Sequence, residues 1–484
     1  MNHASGITNI AGFLDGAAAS DPGRAALVLD EGTVWGYGAL HDEVGRWAST
    51  LAAAGIGAGD TVALADWGGV RATAVTLAAA HLGAATAQMN PLLTADELGQ
   101  LVVTAGCRPV GVATDGALSA LSSALGAPIL TAPTPSLPVP ARDPGGAADA
   151  LVLFTSGTTG LPKAVPITHD AILGRVRAYR AAFSPDHVPS VGMMCVPSFH
   201  VGGMLGLLLA LYGGDTTVVL PRFDAGRWLE LVERHRVASA FLVPTMLARI
   251  LEHPRAATAD LSSLQSVSYG AAAAPVALVR RAMETWPHVG FANTFGQTET
   301  LGGYTSLTPD DHRNPARIGS VGRALPGVEV RVVDPASGAD LADGEVGELW
   351  VRSAQNVVEG WLHTGDLARR DPDGYIYPSG RMSETINRGG EKFAPAEVAD
   401  VVRQHPAVAD VGVAGIPDDE MGERVGVAIV ARPGESAPGL EDLRAWCRGR
   451  LAPFKLPERL VVVDALPYNE LGKLPRRAVA GLMV

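Results

Sequence analysis

The sequence predicts an α/β fold, in which a large N-terminal domain of layered sheets and helices precedes a smaller mixed α+β domain. Three observations carry that expectation. Strand-like and helix-like stretches alternate through the first third, as in largely parallel sheets joined by helices. From Gly290 to Tyr377 the pattern turns β-rich. After Gly380 a compact run of helix, two strands and helix follows. The chain has 484 residues, room for more than one domain at roughly 150 residues each.

The elements follow in order. Tyr37 to Ala54 carries apolar residues at helical spacing, and Gly55 is placed to cap its C-terminus. Thr61 to Ala65 is a short apolar run, expected as a buried strand, and Val70 to Leu82 is an Ala-rich helix stopped by Gly83. The GIGAG of Gly55 to Gly59 is not a dinucleotide fingerprint, because its spacing is wrong and no helix opens there. Ala132 to Gly146, rich in proline and glycine, is an irregular connector. Ala150 to Phe154 forms a strand that runs straight into TSGTTGLPK. Further strands are expected at Val328 to Val333, Gly347 to Arg352 and Gly374 to Tyr377. Beyond a boundary near Gly380 come a helix at Pro395 to His405, strands at Val408 to Val413 and Val425 to Val430, and a helix at Leu440 to Arg450.

Composition removes several function classes. Hydrophobic residues make up 47% and charged residues 18%, which excludes a mostly disordered chain. A net charge of −12 argues against a general binder of nucleic acid or anionic membrane, yet leaves room for a local phosphate pocket. Cys107, Cys195 and Cys447 are too scattered for a zinc site or a disulfide framework, so a reducing compartment is expected. Met1 to Ile10 lacks the features of a signal peptide. The longest apolar run, Val201 to Tyr212, is interrupted by three glycines and falls short of the about 20 residues that span a bilayer. A cytoplasmic protein with no membrane span and no nucleic-acid partner is expected.

The strongest chemical signal is Thr155-Ser156-Gly157-Thr158-Thr159-Gly160-Leu161-Pro162-Lys163. Glycines let backbone N–H groups approach an anion, hydroxyls add donors, and Lys163 adds positive charge. The pattern suits a polyphosphate. It is not a Walker A loop, since the order of its glycines and lysine differs. A ligand-free Ser/Thr/Gly turn is the competing reading.

Four further motifs follow downstream. They are Phe295-Gly-Gln-Thr-Glu-Thr300, Gly360-Trp-Leu-His-Thr-Gly-Asp366, Gly380-Arg381, and Pro467-Tyr-Asn-Glu-Leu-Gly-Lys473. Together with the loop they resemble, in order, the phosphate loop, YGxTE, GWxxTGD, hinge and PxxxxGK motifs of the adenylate-forming superfamily. That superfamily holds acyl-CoA synthetases, peptide-synthetase adenylation domains and beetle luciferases. The likeness runs from about residue 30 to about residue 480.

The resemblance implies a set of roles. Residues 1–380 form the adenylation domain and 381–484 a mobile lid. ATP, Mg²⁺ and CoA, or a carrier-protein phosphopantetheine, are the implied cofactors. Thr155, Ser156, Gly157, Thr158, Thr159, Gly160 and Lys163 hold phosphates. Gly270, Ala271 and Ala272 let the backbone approach a flat adenine, and Asn293, Phe295, Gly296 and Gln297 complete that nucleotide site. Asp366 accepts hydrogen bonds from ribose hydroxyls, and Arg381 reaches the same sugar. Thr298 meets the α-phosphate. Glu299 is the Mg²⁺ ligand, a hard oxygen for a hard cation. Lys473 offsets charge as the acid's carboxylate attacks the α-phosphorus. Gly389, Gly390 and Lys392 enter the site for the thioester step after the lid rotates.

The acid is read from the implied acyl pocket: Val201, Gly203, Met204, Phe241 and Val243, next to Phe199-His200. His200 gates the pocket or touches the acyl carbonyl, and a packed core His is the competing reading. No Asp lies between Pro197 and Tyr212, which disfavours an α-amino acid; no Arg or Lys lies there, which disfavours a dicarboxylate. The aryl-acid pattern of Asn after His is also missing. An apolar acid of medium or large size remains.

Some positions depart from the family pattern: Ser383 at the hinge, Ala164 after the loop Lys, Phe295 for Tyr, and a shortened segment between Val351 and Gly360. The sequence thus predicts an ATP-dependent acid–thiol ligase that forms acyl-CoA. The alternative is a free-standing enzyme that loads a separate carrier protein. A degenerate nucleotide binder is opposed by the intact Lys473, Glu299, Asp366 and Lys163. A luciferase-like oxygenase has no separate support, since fold does not fix function.

Overall fold

Apolar strands alternating with small-residue helices build two mainly parallel sheets. The computed structural model describes residues 7–133, 139–142, 144–156, 162–183, 186–389, 391–469 and 474–483. One sheet runs in the order Ile129–Leu130, Gly111–Ala113, Thr61–Ala65, Ala85–Met89, Asp149–Ser156, Pro162–Thr168. Its strands are parallel except for the last pair. Ala85–Met89 is buried along its whole length, as befits a central strand covered on both faces.

The other sheet runs Gly302–Leu307, Gly290–Gln297, Ser266–Gly270, Ser239–Leu242, Val191–Met194, Thr216–Val219, Ala25–Leu29, Val34–Gly36, with the short strand Arg323–Ala324 outside Gly302–Leu307. Its centre is parallel, with an antiparallel strand at each end of that order. Three strands therefore end side by side at Leu242, Gly270 and Gln297. In open α/β sheets, ligands lie outside these C-terminal strand ends.

The helix Tyr37–Ala53 stops where expected, and Gly55 takes φ +87°, a left-handed conformation that favours glycine. The apolar run after His200 is the helix Val201–Gly213, with Met204, Leu207, Leu208 and Leu211 in the core. No described helix is long and apolar enough to cross a membrane.

Four strands, Glu329–Val333, Val346–Arg352, Leu362–Arg370 and Ile376–Arg381, form a further sheet. In the C-terminal sheet the order is Glu391–Phe393, Ile386–Arg388, Gly422–Ala431, Val408–Asp418, and Arg459–Val462 lies parallel to Gly422–Ala431. Its core includes Ile386, Phe393, Val398, Val402, Val411, Val425 and Leu443.

Element ends differ from the sequence expectation for local reasons. The helix that starts at Leu440 ends at Cys447, not Arg450, because Arg448 leaves helical geometry at ψ 135° and Gly449 takes φ +75°. Gly374, at φ +84°, belongs to a turn, so the strand begins at Ile376. The helix from Pro395 ends at Arg403, two residues before His405. Strands Val408–Asp418 and Gly422–Ala431 run past the apolar stretches that announced them, paired through Asp418 and Gly422.

Contacts divide the chain into two units. The first holds Met1–Ile318, Ala324–Glu329 and Arg352–Gly360; the second holds Gly319–Arg323, Val330–Val351 and Trp361–Val484. The four-stranded sheet belongs to the second apart from Glu329 and Arg352. This is the mixed α/β arrangement, larger at its N-terminal side, that the sequence predicts.

Candidate active site

In the first unit, the strand Asp149–Ser156 is buried from Ala150 to Leu153 and becomes partly exposed at Phe154 and Thr155. The following strand returns antiparallel, so Thr155 faces Lys163 in register, and Lys163 is exposed. Gly157, Thr158, Thr159 and Gly160 lie outside the described residues, as does the side chain of Ser156.

Thr155 Oγ1 donates to Glu299 Oε1 at 3.4 Å, across 144 residues of sequence. Glu299 sits on the short turn Thr298–Thr300 that follows the strand Gly290–Gln297. Several bonds fix this turn. Thr300 Oγ1 donates to the Gly302 carbonyl at 2.7 Å, and Val357 N donates to the Glu299 carbonyl at 3.0 Å. Leu301 takes the left-handed φ of +49°.

Two groups on the helix His169–Phe183 brace the same turn. Arg175, 1% exposed, donates Nη2 to the Thr300 carbonyl at 2.7 Å, and Tyr179 donates its hydroxyl to the Gly303 carbonyl at 3.0 Å. Burial pulls the Arg175 pKa below its ordinary value, yet a guanidinium stays charged in proteins. A cation is buried here only because it is hydrogen-bonded. Sequence reasoning missed Arg175. Its one signal is position, since it shares a buried helical stripe with Ile172 and Val176.

The neighbouring strand ends have no room for side chains. A Cβ at Gly270 would lie 2.2 Å from the Thr294 carbonyl oxygen, and one at Gly296 would lie 2.0 Å from that of Gly302. Ala271 takes φ +66°, uncommon for a residue with a Cβ; it is exposed, and Ala272 is half-buried. Asn293 is buried beside Tyr269 in register. Tyr269 shares a hydrogen bond with His312 Nε2 at 2.8 Å, and burial pushes its phenol up to about 12. Phe295 packs edge-on against Tyr304 at 5.4 Å. Gln297 Nε2 is buried with no hydrogen-bond partner among the described residues, an orphaned donor of the kind that a ligand or water satisfies.

The second unit brings Asp366 and Arg381 together. They face each other across the antiparallel pair, with Arg381 Nε 2.8 Å from Asp366 Oδ1. Asp366 is buried, and its N–H donates to Thr364 Oγ1 at 3.0 Å. Gly365 N donates to Glu348 Oε1 at 3.1 Å, and Trp350 Nε1 donates to Glu348 Oε2 at 2.8 Å. Glu348, a buried carboxylate that braces the turn before Asp366, was not legible in the sequence.

Gly389 closes a hairpin of Ile386–Arg388 with Glu391–Phe393, at φ +58°. A Cβ there would come 2.7 Å from Met421 Cε. Arg388 fastens the hairpin through a two-pronged pair with Glu458 at 2.7 and 2.8 Å. Lys392 pairs with Asn387 by backbone register, its side chain lying outside the described part. Gly390 and Lys473 lie outside the described residues, and so does the Ser383 side chain.

A cavity of about 680 Å³ opens between the helix Val201–Gly213 and the sheet, lined among others by Gly202, Gly203, Gly206, Met194, Phe241 and Ser268. Gly203 and Phe241 thus border it. Met204 is buried in the core and Val243 in the helix cap that follows Leu242, and neither lines it; nor does Val201. His200 precedes the helix with its ring 4.5 Å from that of Phe199. Cys195 also borders the cavity, and burial pushes its thiol up to about 12.

The AMP-binding enzyme family model matches residues 14–362, and the AMP-binding enzyme C-terminal domain matches 397–473. The chain belongs to the AMP-binding enzyme family. It is an ATP-dependent ligase of the AMP-forming kind. Among AMP-binding relatives, a fatty acid–[acyl-carrier-protein] ligase of Streptomyces coeruleorubidus is 31% identical over 93% of this chain and 92% of its own. An indoleacetate–CoA ligase of Aromatoleum aromaticum is 31% identical over 97% of each chain. The O-succinylbenzoate coenzyme A synthetase of Bacillus subtilis, solved with ATP and magnesium ion, superposes with a TM-score of 0.84 at 26% identity, covering 97% of this chain and 99% of that one.

Proposed function

We propose that the protein activates an apolar carboxylic acid with ATP and transfers the acyl group to the thiol of CoA. The observation that carries this reading is the convergence of Thr155, at the phosphate-loop strand, on Glu299, in the turn after Gln297.

The acid's carboxylate attacks the α-phosphorus of ATP, pyrophosphate leaves, and an acyl-adenylate forms. Glu299 would hold Mg²⁺ through its hard carboxylate oxygen, with the Thr155 hydroxyl beside it. Among the described residues no cluster of three or more His, Cys, Asp or Glu is built to hold a metal alone, which suits an ion that arrives with ATP. Bound Mg²⁺ would neutralise phosphate charge. Thr298 meets the α-phosphate, Lys163 and the loop it closes hold the outer phosphates, and Asp366 with Arg381 holds the ribose. Lys473 stabilises the charge that builds during attack.

In the second step the CoA thiol attacks the acyl carbon, and AMP leaves. Rotation of the lid, 381–484, about Arg381–Ser383 withdraws Lys473 and brings Gly389, Gly390 and Lys392 to the thiol. A cytoplasmic location fits these soluble reactants. A second reading, in which the thiol is carrier-protein phosphopantetheine, is favoured by the likeness to a carrier-protein ligase.

The test is a product assay. With ATP, Mg²⁺ and a panel of apolar acids, CoA should give AMP and an acyl-CoA. Acylation of a phosphopantetheinylated carrier, with CoA inert, would replace the first reading by the second.

A further inference from the structure

The cavity beside the helix Val201–Gly213 is graded in polarity along its floor. Parallel register sets Thr217, Gly192, Ser239 and Ser266 side by side in one row across four strands. Two residues nearer the C-terminal strand ends, the row becomes Met194, Phe241 and Ser268. All seven line the cavity. The half next to the proposed chemistry is therefore mostly apolar, and the half away from it carries hydroxyls.

Glycines keep the space open. A Cβ at Gly206, on the helix, would meet nothing within 4 Å. One at Gly192 would sit 3.3 Å from Ser239 Oγ, within the hydroxyl row. Thr217 is 4% exposed, and its Oγ1 has no hydrogen-bond partner among the described residues. A buried hydroxyl left unpaired requires an explanation, and a ligand that bonds it is one. At the outer end Arg180 and Asp215 pair with each other, Arg180 Nε stays buried without a partner among the described residues, and Asp186 also lines the cavity. Asp215 accepts from Arg180 Nη2 at 2.7 Å and from Ser190 N at 2.8 Å, and Arg180 also donates to the Leu209 carbonyl at 2.7 Å. His187 Nε2 lies 3.2 Å from both the Gly213 carbonyl and Asp215.

We propose that this cavity takes an acid that is apolar beside its carboxyl and carries a neutral hydrogen-bonding group, a hydroxyl, oxo or amide, at the row Thr217, Ser239 and Ser266. This rests on the acid-activating reading above. The row lies four residues back from Gly270, which at roughly 3.3 Å per residue is about 13 Å from the strand end. An anionic tail is disfavoured, since Asp215 already neutralises Arg180 and Asp186 adds negative charge to the lining. A plain alkyl tail would bury the hydroxyls with nothing to bond, and sites built to hydrogen-bond a group discriminate strongly against analogues lacking it.

The test compares acids of equal length by acid-dependent exchange of pyrophosphate into ATP. Each pair is an alkanoic acid and its counterpart with a distal hydroxyl or oxo group. The substituted acid should be favoured in kcat/KM by at least about tenfold. Thr217→Val and Ser239→Ala should each narrow that gap with the KM for ATP unchanged. Gly206→Leu, which places a side chain in open space, should abolish use of the long acids and retain a short one. An alkanoic acid used equally well or better overturns the inference and leaves acid activation standing. Long acids undisturbed by Gly206→Leu would also overturn it, because the cavity would not hold the acyl chain. Failure of every acid in wild-type protein would instead sink the acid-activating reading, and this inference with it.

Discussion

Asp366 is held in place by its neighbours. Arg381 Nε lies 2.8 Å from one of its oxygens, and Thr364 and Glu348 fix the backbone on which it stands. Hydrogen bonds to a charged group contribute about 1.5–3 kcal/mol, and about 1.4 kcal/mol is tenfold in affinity. Asp366→Ala should therefore raise the KM for ATP by about 10- to 100-fold, with little change in the KM for the acid. Steady-state kinetics with each substrate varied would check this, and an unchanged KM for ATP would contradict the ribose assignment. At this scale the sequence was legible where a motif fixes residue type and spacing, as for Thr155, Glu299, Asp366 and Arg381. The pairing of Thr155 with Glu299 was not, because tertiary folding alone brings such distant segments together. Arg175 and Glu348 were invisible for another reason. Single charged residues are mostly solvated, and only the turn each braces makes burial tolerable.

Elements explain which faces of these residues matter. The helix His169–Phe183 supports the Glu299 turn through Arg175 and Tyr179. Arg175→Met keeps an apolar stem and deletes the donor, leaving the Thr300 carbonyl unpaired. The turn should loosen. We expect kcat to fall by about tenfold or more, given about 1.5–3 kcal/mol for a charge-assisted bond, and the Mg²⁺ concentration for half-maximal activity to rise. A loss of thermal stability with unchanged Mg²⁺ dependence would assign Arg175 a purely structural role. The helix Val201–Gly213 teaches a related lesson about reading sequence. Its apolar residues were visible, but a run that is apolar all round does not reveal which stripe meets the core. Met204, Leu207, Leu208 and Leu211 pack inward, and Gly202, Gly206, Leu209 and Ala210 border the cavity. Strand patterns were legible for the same elements, whereas their ends were set by local geometry, as at Arg448 and Gly374.

For the whole molecule, alternation of strands and helices foretold parallel sheets, but not their order. Ala25–Leu29 lies beside Thr216–Val219, and Thr216 Oγ1 donates to the Ala25 carbonyl across 191 residues. Local pattern carries no information about such pairings. The sheet order matters to function because it sets Leu242, Gly270 and Gln297 side by side. The second unit holds Asp366, Arg381 and the hairpin of Gly389. Acid activation through an adenylate is the claim on which every assignment rests. Acid-dependent exchange of labelled pyrophosphate into ATP measures it most directly, with wild-type protein and Lys473→Ala in parallel. The account predicts Mg²⁺-dependent exchange that appears only with an acceptable acid and falls by about 10²–10³ in the variant, the usual loss on removing one charge-stabilising donor. Exchange with no acid, or exchange untouched by loss of Lys473, would contradict it.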